Sequence, residues 1–310
     1  MKAKGFFKMQ LLIIGASGFI GRHLYRHCTQ EGIYVVGTYY KNKVDKEYIF
    51  FDMCKQPFSN LLERLPPNIC LKEMVVVLCS ANASIDSCKM NEELSYKLNV
   101  QKTKELLMDL KQLKIKTVFL SSEAVFDGKK GLYTEADIPN PITVYGRQKY
   151  EIENYILDNL ENALVFRISR AVGSRFGEKD IFHEFFQKIN NKEKIICLKD
   201  QSFCLTEVDD ISRAIILAAG MDLQGIYHIS SANFITRYEL AVLFSKNVFD
   251  GTGIIEERDY GEIGFADNRH IKGGLDGTKL STILNLKYKD LDLILKNYIS
   301  TIPKNSKRAK

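Results

Sequence analysis

A phenol and an ammonium stand four residues apart in Tyr145-Gly146-Arg147-Gln148-Lys149, and a hydroxyl, Ser122, precedes them in Phe119-Leu120-Ser121-Ser122-Glu123. Side chains at i and i+4 share one face of a helix. The ammonium there favours the phenolate and draws the tyrosine pKa toward working pH, which makes Tyr145 a proton donor or acceptor for a carbonyl or alcohol. Tyr-x-x-x-Lys alone is a common coincidence in a chain with 15 tyrosines. Here it follows an apolar strand whose carboxyl end leaves Ser122 free to hydrogen-bond the same oxygen, with Pro139-Asn140-Pro141 shaping the loop between them.

A second constellation is Gly15-Ala16-Ser17-Gly18-Phe19-Ile20-Gly21, between an apolar run and a helix-period stretch. Gly15 permits a tight turn, Gly18 lets a pyrophosphate approach the backbone and Gly21 lets helix pack on strand. Free N–H groups at Ser17, Phe19 and Ile20 then face the anion. The run ending Thr38-Tyr39-Tyr40-Lys41-Asn42-Lys43 lacks the acidic residue that clasps the ribose of NAD. A cation at Lys41 favours the 2'-phosphate of NADP instead. Asp52-Met53 follows a candidate third strand, where the Asp52 carboxylate can accept from the adenine amino group.

The elements that must position these residues alternate as strand and helix. Apolar runs at 9–14, 34–38, 74–78, 117–121, 163–168 and 225–229 predict strands; 18–31, 91–113, 145–160, 181–190 and 208–219 predict helices. That rhythm predicts an α/β Rossmann-type doubly wound parallel sheet with a smaller interleaved α/β substrate lobe. The dinucleotide-binding domain is expected over 9–170 and 205–230, the substrate lobe over 171–204 and 231–300, and a basic flexible tail over 301–310. The cleft between the two parts is the expected site.

Composition narrows the function classes. The net charge of +6 owes four units to Lys304, Lys307, Arg308 and Lys310, and no aromatic-interleaved basic stripe exists, so a small anionic ligand is expected rather than nucleic acid. No apolar run reaches membrane-spanning length, and glycines interrupt the one stretch after Met1-Lys2-Ala3-Lys4 that resembles a secretory signal. Seven cysteines with no Cys-x-x-Cys pair suit free thiols in a reducing cytoplasm. His23 and His27, one turn apart, have no ligand partner nearby in sequence and read as a surface helix, so no metal is expected.

Together these residues resemble the extended short-chain dehydrogenase/reductase superfamily and, within it, the dTDP-4-dehydrorhamnose reductase family. The resemblance rests on Gly15 to Gly21, on Ser121-Ser122-Glu123-Ala124-Val125-Phe126-Asp127-Gly128 and on Val144-Tyr145-Gly146-Arg147-Gln148-Lys149. Weaker blocks extend it over nearly the whole chain, at Val165 to Ser169, Glu207 to Asp210, Tyr227 to Ser230 and Leu275 to Leu280. It implies Tyr145 as general acid, Lys149 as its partner that also holds the nicotinamide ribose, Ser122 as the carbonyl-polarising hydroxyl and Glu123 as an aid to proton delivery. It also implies Cys79-Ser80-Ala81 on the nicotinamide side, Asn99 behind the active site, and Val125, Phe126, Arg170 and Phe203 on the substrate side. A homodimer fits the family.

The chain departs from that family in two places. An arginine of the family's Asp-Gln-x-Arg-x-x-Thr is Phe203 in Asp200-Gln201-Ser202-Phe203-Cys204-Leu205-Thr206. The aromatic pair that follows the family's Arg-x-Ser is Arg170 and Val172. Three functions follow from the resemblance: an NADPH-dependent reductase of a nucleotide-linked 4-keto-6-deoxy sugar, an epimerase or dehydratase with tightly held NAD, and a non-catalytic dinucleotide-binding subunit like the regulatory β subunit of methionine adenosyltransferase.

Overall fold

The computed structural model describes residues 9–304 and 306; the basic tail expected at 301–310 and the signal-like stretch at Met1 fall largely outside them. In chain order the elements are β1 (Gln10–Ile14), α1 (Phe19–Gln30), β2 (Tyr34–Tyr39), β3 (Ile49–Phe50), α2 (Phe58–Leu62), β4 (Met74–Leu78), α3 (Ile85–Met90), α4 (Glu92–Tyr96), α5 (Thr103–Gln112) and β5 (Lys116–Ser122). There follow α6 (Val144–Asn159), β6 (Ala163–Ile168), β7 (Arg170–Val172), α7 (Ile181–Asn190), β8 (Ile195–Leu198), β9 (Ser202–Glu207), α8 (Val208–Ala219), β10 (Gly225–Ile229), β11 (Phe234–Thr236), α9 (Arg237–Phe249), β12 (Ile255–Arg258), α10 (Thr278–Leu284) and α11 (Leu291–Ser300).

Among the described residues, seven strands form one sheet in the order β10-β6-β5-β4-β1-β2-β3, every pair parallel. The near-continuous apolar strands, such as Met74-Val75-Val76-Val77-Leu78 with all five residues buried, reflect helices on both faces. One face packs Leu11, Ile13, Val75, Val77 and Phe166 against α1, α8 and α10; the other packs Leu12, Ile14, Val76 and Val165 against Leu106, Leu107 and Ile152. The fold expected from the sequence is the fold observed. The strand order reverses between β1 and β4, and at such a switch point ligands bind beyond the carboxyl ends of the strands.

The smaller lobe has a separate core of Phe182, Phe185, Phe186, Phe203, Phe244 and Tyr298. It is built on a three-stranded β11-β9-β7 sheet and a β12-β8 pair. Helix α10 lies in the segment assigned to this lobe, yet its Leu280 and Leu284 pack into the main-sheet core. The helix expected at 91–113 is broken, with Lys97–Lys102 forming a π-helical turn between α4 and α5. A π turn inside a helix commonly marks a functional site, and this one carries Asn99.

Candidate active site

Ser122 ends β5 and caps the 3-10 turn Glu123–Val125, its Oγ accepting the Ala124 N–H at 3.2 Å. Thr143 caps α6 by accepting the Gly146 N–H at 2.9 Å. Gly146 is there because a Cβ would stand 2.0 Å from the Ala124 carbonyl oxygen; its absence lets the first turn of α6 lie against the 3-10 turn. That approach brings Tyr145 and Ser122 to the same wall of one cleft, with Ser122 acting on the phenol.

Lys149 lies one turn further along α6, almost fully buried. Its Nζ donates to the Leu120 carbonyl at 2.8 Å and stands 5.8 Å from the centre of the Tyr145 ring. Burial, opposed by the charges of Cys79, Glu153 and Cys88, brings the ammonium down to about 8. The Tyr145 phenol is pushed above its ordinary value, chiefly by burial, with Ser122 pulling the other way. The sequence predicted a phenol lowered by its lysine. In this protein burial sets the direction, so Tyr145 rests with its proton on, as a general acid requires.

Behind the triad lies a group that sequence reasoning missed. Glu153, two turns beyond Tyr145 on the same face of α6, receives Arg167 of β6 in a bidentate pair, Nη2 to Oε2 at 2.7 Å and Nε to Oε1 at 3.0 Å, and the Ser121 hydroxyl donates to it at 2.5 Å. Both charges are buried and paired, which ties α6 to β5 and β6 under the site. The spacing Tyr145, Lys149, Glu153 was visible in the sequence; the partner strand was not.

Glu123 and Phe203 line a cleft of about 720 Å³ together with Ser122, Tyr145, Arg170 and Arg269. Glu123 Oε2 accepts the Gly274 N–H at 2.7 Å and the Ser169 hydroxyl at 3.2 Å, and burial raises its pKa. Val125 and Phe126 do not reach this cleft. The 3-10 turn points them inward, where they are buried with Tyr133 and Leu275, the Phe126 and Tyr133 rings stacked 4.3 Å apart. Their placement on the substrate side is therefore corrected to the core.

The glycine-rich turn has the geometry its spacing demands. Gly15 takes φ +89°, and a Cβ on it would stand 2.8 Å from the Ser80 backbone nitrogen; one on Gly21 would stand 2.4 Å from the Gly15 carbonyl oxygen. Cys79-Ser80-Ala81 thus runs directly beside the turn. No side chain caps the N-terminus of α1 at Gly18, which leaves the N–H groups of the first turn, around Phe19 and Ile20, for an anion. Ser17 is half-buried beside them. This cradle fits a dinucleotide diphosphate.

Lys41 and Lys43 follow β2 on the exposed surface, over the rings of Tyr40 and Tyr39. Asp52, past β3, is buried, and its Oδ1 accepts the Cys54 N–H at 2.9 Å beside buried Met53. Asn99 has its amide fully engaged: Oδ1 accepts the Asn82 N–H at 2.8 Å, and Nδ2 donates to Gln148 Oε1 at 2.8 Å and to the Asn82 carbonyl at 2.9 Å. It joins α6 to the segment after β4.

His23 is also not where a surface helix would leave it. It is 1% exposed, with Nδ1 2.7 Å from Asp209 and Nε2 2.6 Å from Glu178. Arg26 and His27 reach the same Asp209 oxygen at 2.7 and 3.2 Å. The clasp joins α1 to α8 and to the loop entering the smaller lobe. All seven cysteines are free thiols, and among the described residues no helix is long and apolar enough to cross a membrane.

Comparison with known proteins extends the picture. The RmlD substrate binding domain family matches residues 9–258. Methionine adenosyltransferase 2 subunit beta of Bos taurus is 28% identical over 240 residues, 75% of this chain and 70% of that one. The solved structure of a hypothetical dTDP-4-dehydrorhamnose reductase from Sulfolobus tokodaii superposes with a TM-score of 0.80 at 26% identity, covering 94% of this chain and 99% of its own. That of a dTDP-4-dehydrorhamnose reductase from Bacillus anthracis, in complex with NADP, has a TM-score of 0.80 at 20% identity, covering 95% and 99%.

Proposed function

The chain belongs to the RmlD substrate binding domain family, and from that premise we propose that it is an NADPH-dependent reductase of a nucleotide-linked 4-keto-6-deoxy sugar. The observation that carries this reading is that Ser122 and Tyr145 line one cleft between the two parts, with Lys149 Nζ 5.8 Å from the centre of the Tyr145 ring one helical turn behind. The dinucleotide domain is 9–170 with 205–230, and the lobe around Phe203 receives the substrate. Gly15, Gly18 and Gly21 hold the diphosphate; Lys41 supplies the cation that prefers NADP over NAD; Asp52 and Met53 face the adenine; Cys79, Ser80 and Ala81 flank the nicotinamide. The bound cofactor supplies a hydride.

Ser122 orients the ketone oxygen, Tyr145 gives it a proton, and Lys149 stabilises the phenolate left behind. Buried surroundings exclude water from that transfer and strengthen each interaction. Glu123, held by Gly274 and Ser169, sits beside the oxygen as a further proton source, its raised pKa suiting that task. The free thiols fit a cytoplasmic enzyme, and the family makes a homodimer the expected assembly. The test is a screen of nucleotide-linked 4-keto sugars with NADPH and NADH, read as absorbance loss. Consumption of NADPH with at least one of them supports the reading.

A second reading is a non-catalytic subunit, favoured by the similarity to methionine adenosyltransferase 2 subunit beta. A tight protein partner together with no turnover of any keto sugar would establish it.

A further inference from the structure

The cations around the cleft are not equivalent. Arg237 Nη2 donates to Glu184 Oε1 at 2.7 Å, and Lys188 Nζ lies 3.3 Å from the same oxygen. Arg269 Nη2 donates to Asp86 Oδ2 at 2.5 Å. The Arg170 guanidinium makes no hydrogen bond or ion pair with any described residue, although it lines the same cleft as Ser122 and Tyr145. Among the described residues its one close partner is a ring: Cζ lies 5.2 Å from the centre of Phe203. Glu123 is within electrostatic reach, but its Oε2 is already taken by Gly274 and Ser169.

This pair falls on the chain's two departures from the family pattern, an arginine lost at 203 and an aromatic lost at 170. Strands β7 and β9 lie side by side with Arg170 opposite Leu205, so Phe203, two residues before Leu205, is a diagonal neighbour of Arg170 on one face of the sheet. The ring at 203 is the platform on which the Arg170 guanidinium rests. A stacked guanidinium is held in one orientation with its donor edge free, which is the arrangement that recognises carboxylates and phosphates.

We propose that Arg170 is a specificity-determining residue that binds an anionic group of the substrate, either a diphosphate oxygen or a carboxylate on the sugar, beside Ser122 and Tyr145. The proposal rests on the nucleotide-sugar reading above. Isothermal titration of the full chain, saturated with NADPH, uses dTDP, dTDP-glucose, UDP-glucose and UDP-glucuronate as probes against wild type, Arg170→Gln and Arg170→Lys. Arg170 projects from the lobe sheet into the cleft, and cooperative melting of both variants verifies the fold.

Arg170→Gln weakens binding by about 10- to 100-fold, and Arg170→Lys by less, because a point charge keeps part of the attraction. Similar losses on every probe bound assign the diphosphate; a loss confined to UDP-glucuronate assigns the sugar carboxylate. Arg170→Gln binding every probe within about twofold of wild type, below the smallest effect expected of a charged hydrogen bond, overturns the proposal. A wild type that binds none of the probes instead overturns the nucleotide-sugar reading itself, and the assignment of Arg170 falls with it.

Discussion

Asp267 Oδ2 accepts the Val144 N–H at 2.7 Å, so a carboxylate from beyond the span of the family match closes the first turn of the helix that carries Tyr145 and Lys149. The same segment is anchored elsewhere, Ala266 N–H and Arg269 both binding Asp86 and Asn268 Nδ2 donating to the Ile142 carbonyl. The helix turn that carries Tyr145 and Lys149 is therefore held from both parts of the molecule. Asp267→Ala should cost about 1 kcal/mol, as loss of a helix cap does. Asp267→Asn, whose amide oxygen can still accept, should recover most of it. Thermal melting of the two variants checks the ordering.

In the proposed mechanism Lys149 sets a pH limit on activity. Its ammonium is held at about 8 in the dinucleotide-free protein, so it is charged below that pH and neutral above it. The kcat/KM for NADPH oxidation should fall as pH rises through about 8, while Tyr145, raised by burial, keeps its proton. Lys149→Met should lose most activity at every pH and show no such limb. A wild-type profile flat from pH 7 to about 9.5 would count against the role given to this lysine.

At the dinucleotide turn, Gly15→Ala forces a side chain onto a residue at φ +89° and sets its Cβ 2.8 Å from the Ser80 nitrogen. Strain of about 1–3 kcal/mol is expected, along with loss of NADPH binding as the turn and the segment after β4 move apart. Titration of NADPH fluorescence reads the second effect separately from melting.

The His23 clasp makes stability depend on pH from both sides. Burial alone would lower His23, but its hydrogen bonds with Asp209 and Glu178 and their charges raise it. Asp209 and Glu178 are lowered, the hydrogen bonds to His23 overcoming burial. The histidine's contribution is complete below its ordinary value of about 6.5 and is lost as pH rises through the raised one. The carboxylates' contribution is complete above about 4.3 and is lost as pH falls through their lowered values. Urea unfolding should show the clasp strongest between those limits. His23→Ala should cost about 1–3 kcal/mol there, because Asp209 and Glu178 each lose a hydrogen-bond partner while Arg26, His27 and Arg22 still face them, and the cost should shrink toward pH 9.

Much of this was legible in the sequence, and the pattern of what was not has physical causes. Strands β4, β6 and β10 and helices α7 and α8 matched their expected bounds because each is an apolar run or period closed by turn residues. Strand β9 was missed because Ser202, Thr206 and Glu207 read as polar. They are buried with partners from far along the chain: Thr206 accepts the Ser231 N–H and Glu207 pairs with Lys289. Strand β7, three residues long, carries no period at all. His23 and Glu153 were misread or passed over for the same reason, since Asp209, Glu178 and Arg167 lie 14 to 186 positions away. Ser122 and Tyr145 line one cleft with Lys149 a turn behind, as their spacing suggests, because local geometry, a strand end and a helix turn, decides their placement.

The central claim, proton transfer from Tyr145 to a substrate ketone, is tested most directly by Tyr145→Phe. With a nucleotide-linked 4-keto sugar that the wild type reduces, NADPH oxidation and NADPH affinity are measured on the same preparation. The ring stays in place between Cys88, Ala124 and Val144, so affinity should be nearly unchanged while turnover falls by about 100-fold or more. Turnover equal to wild type would contradict the account.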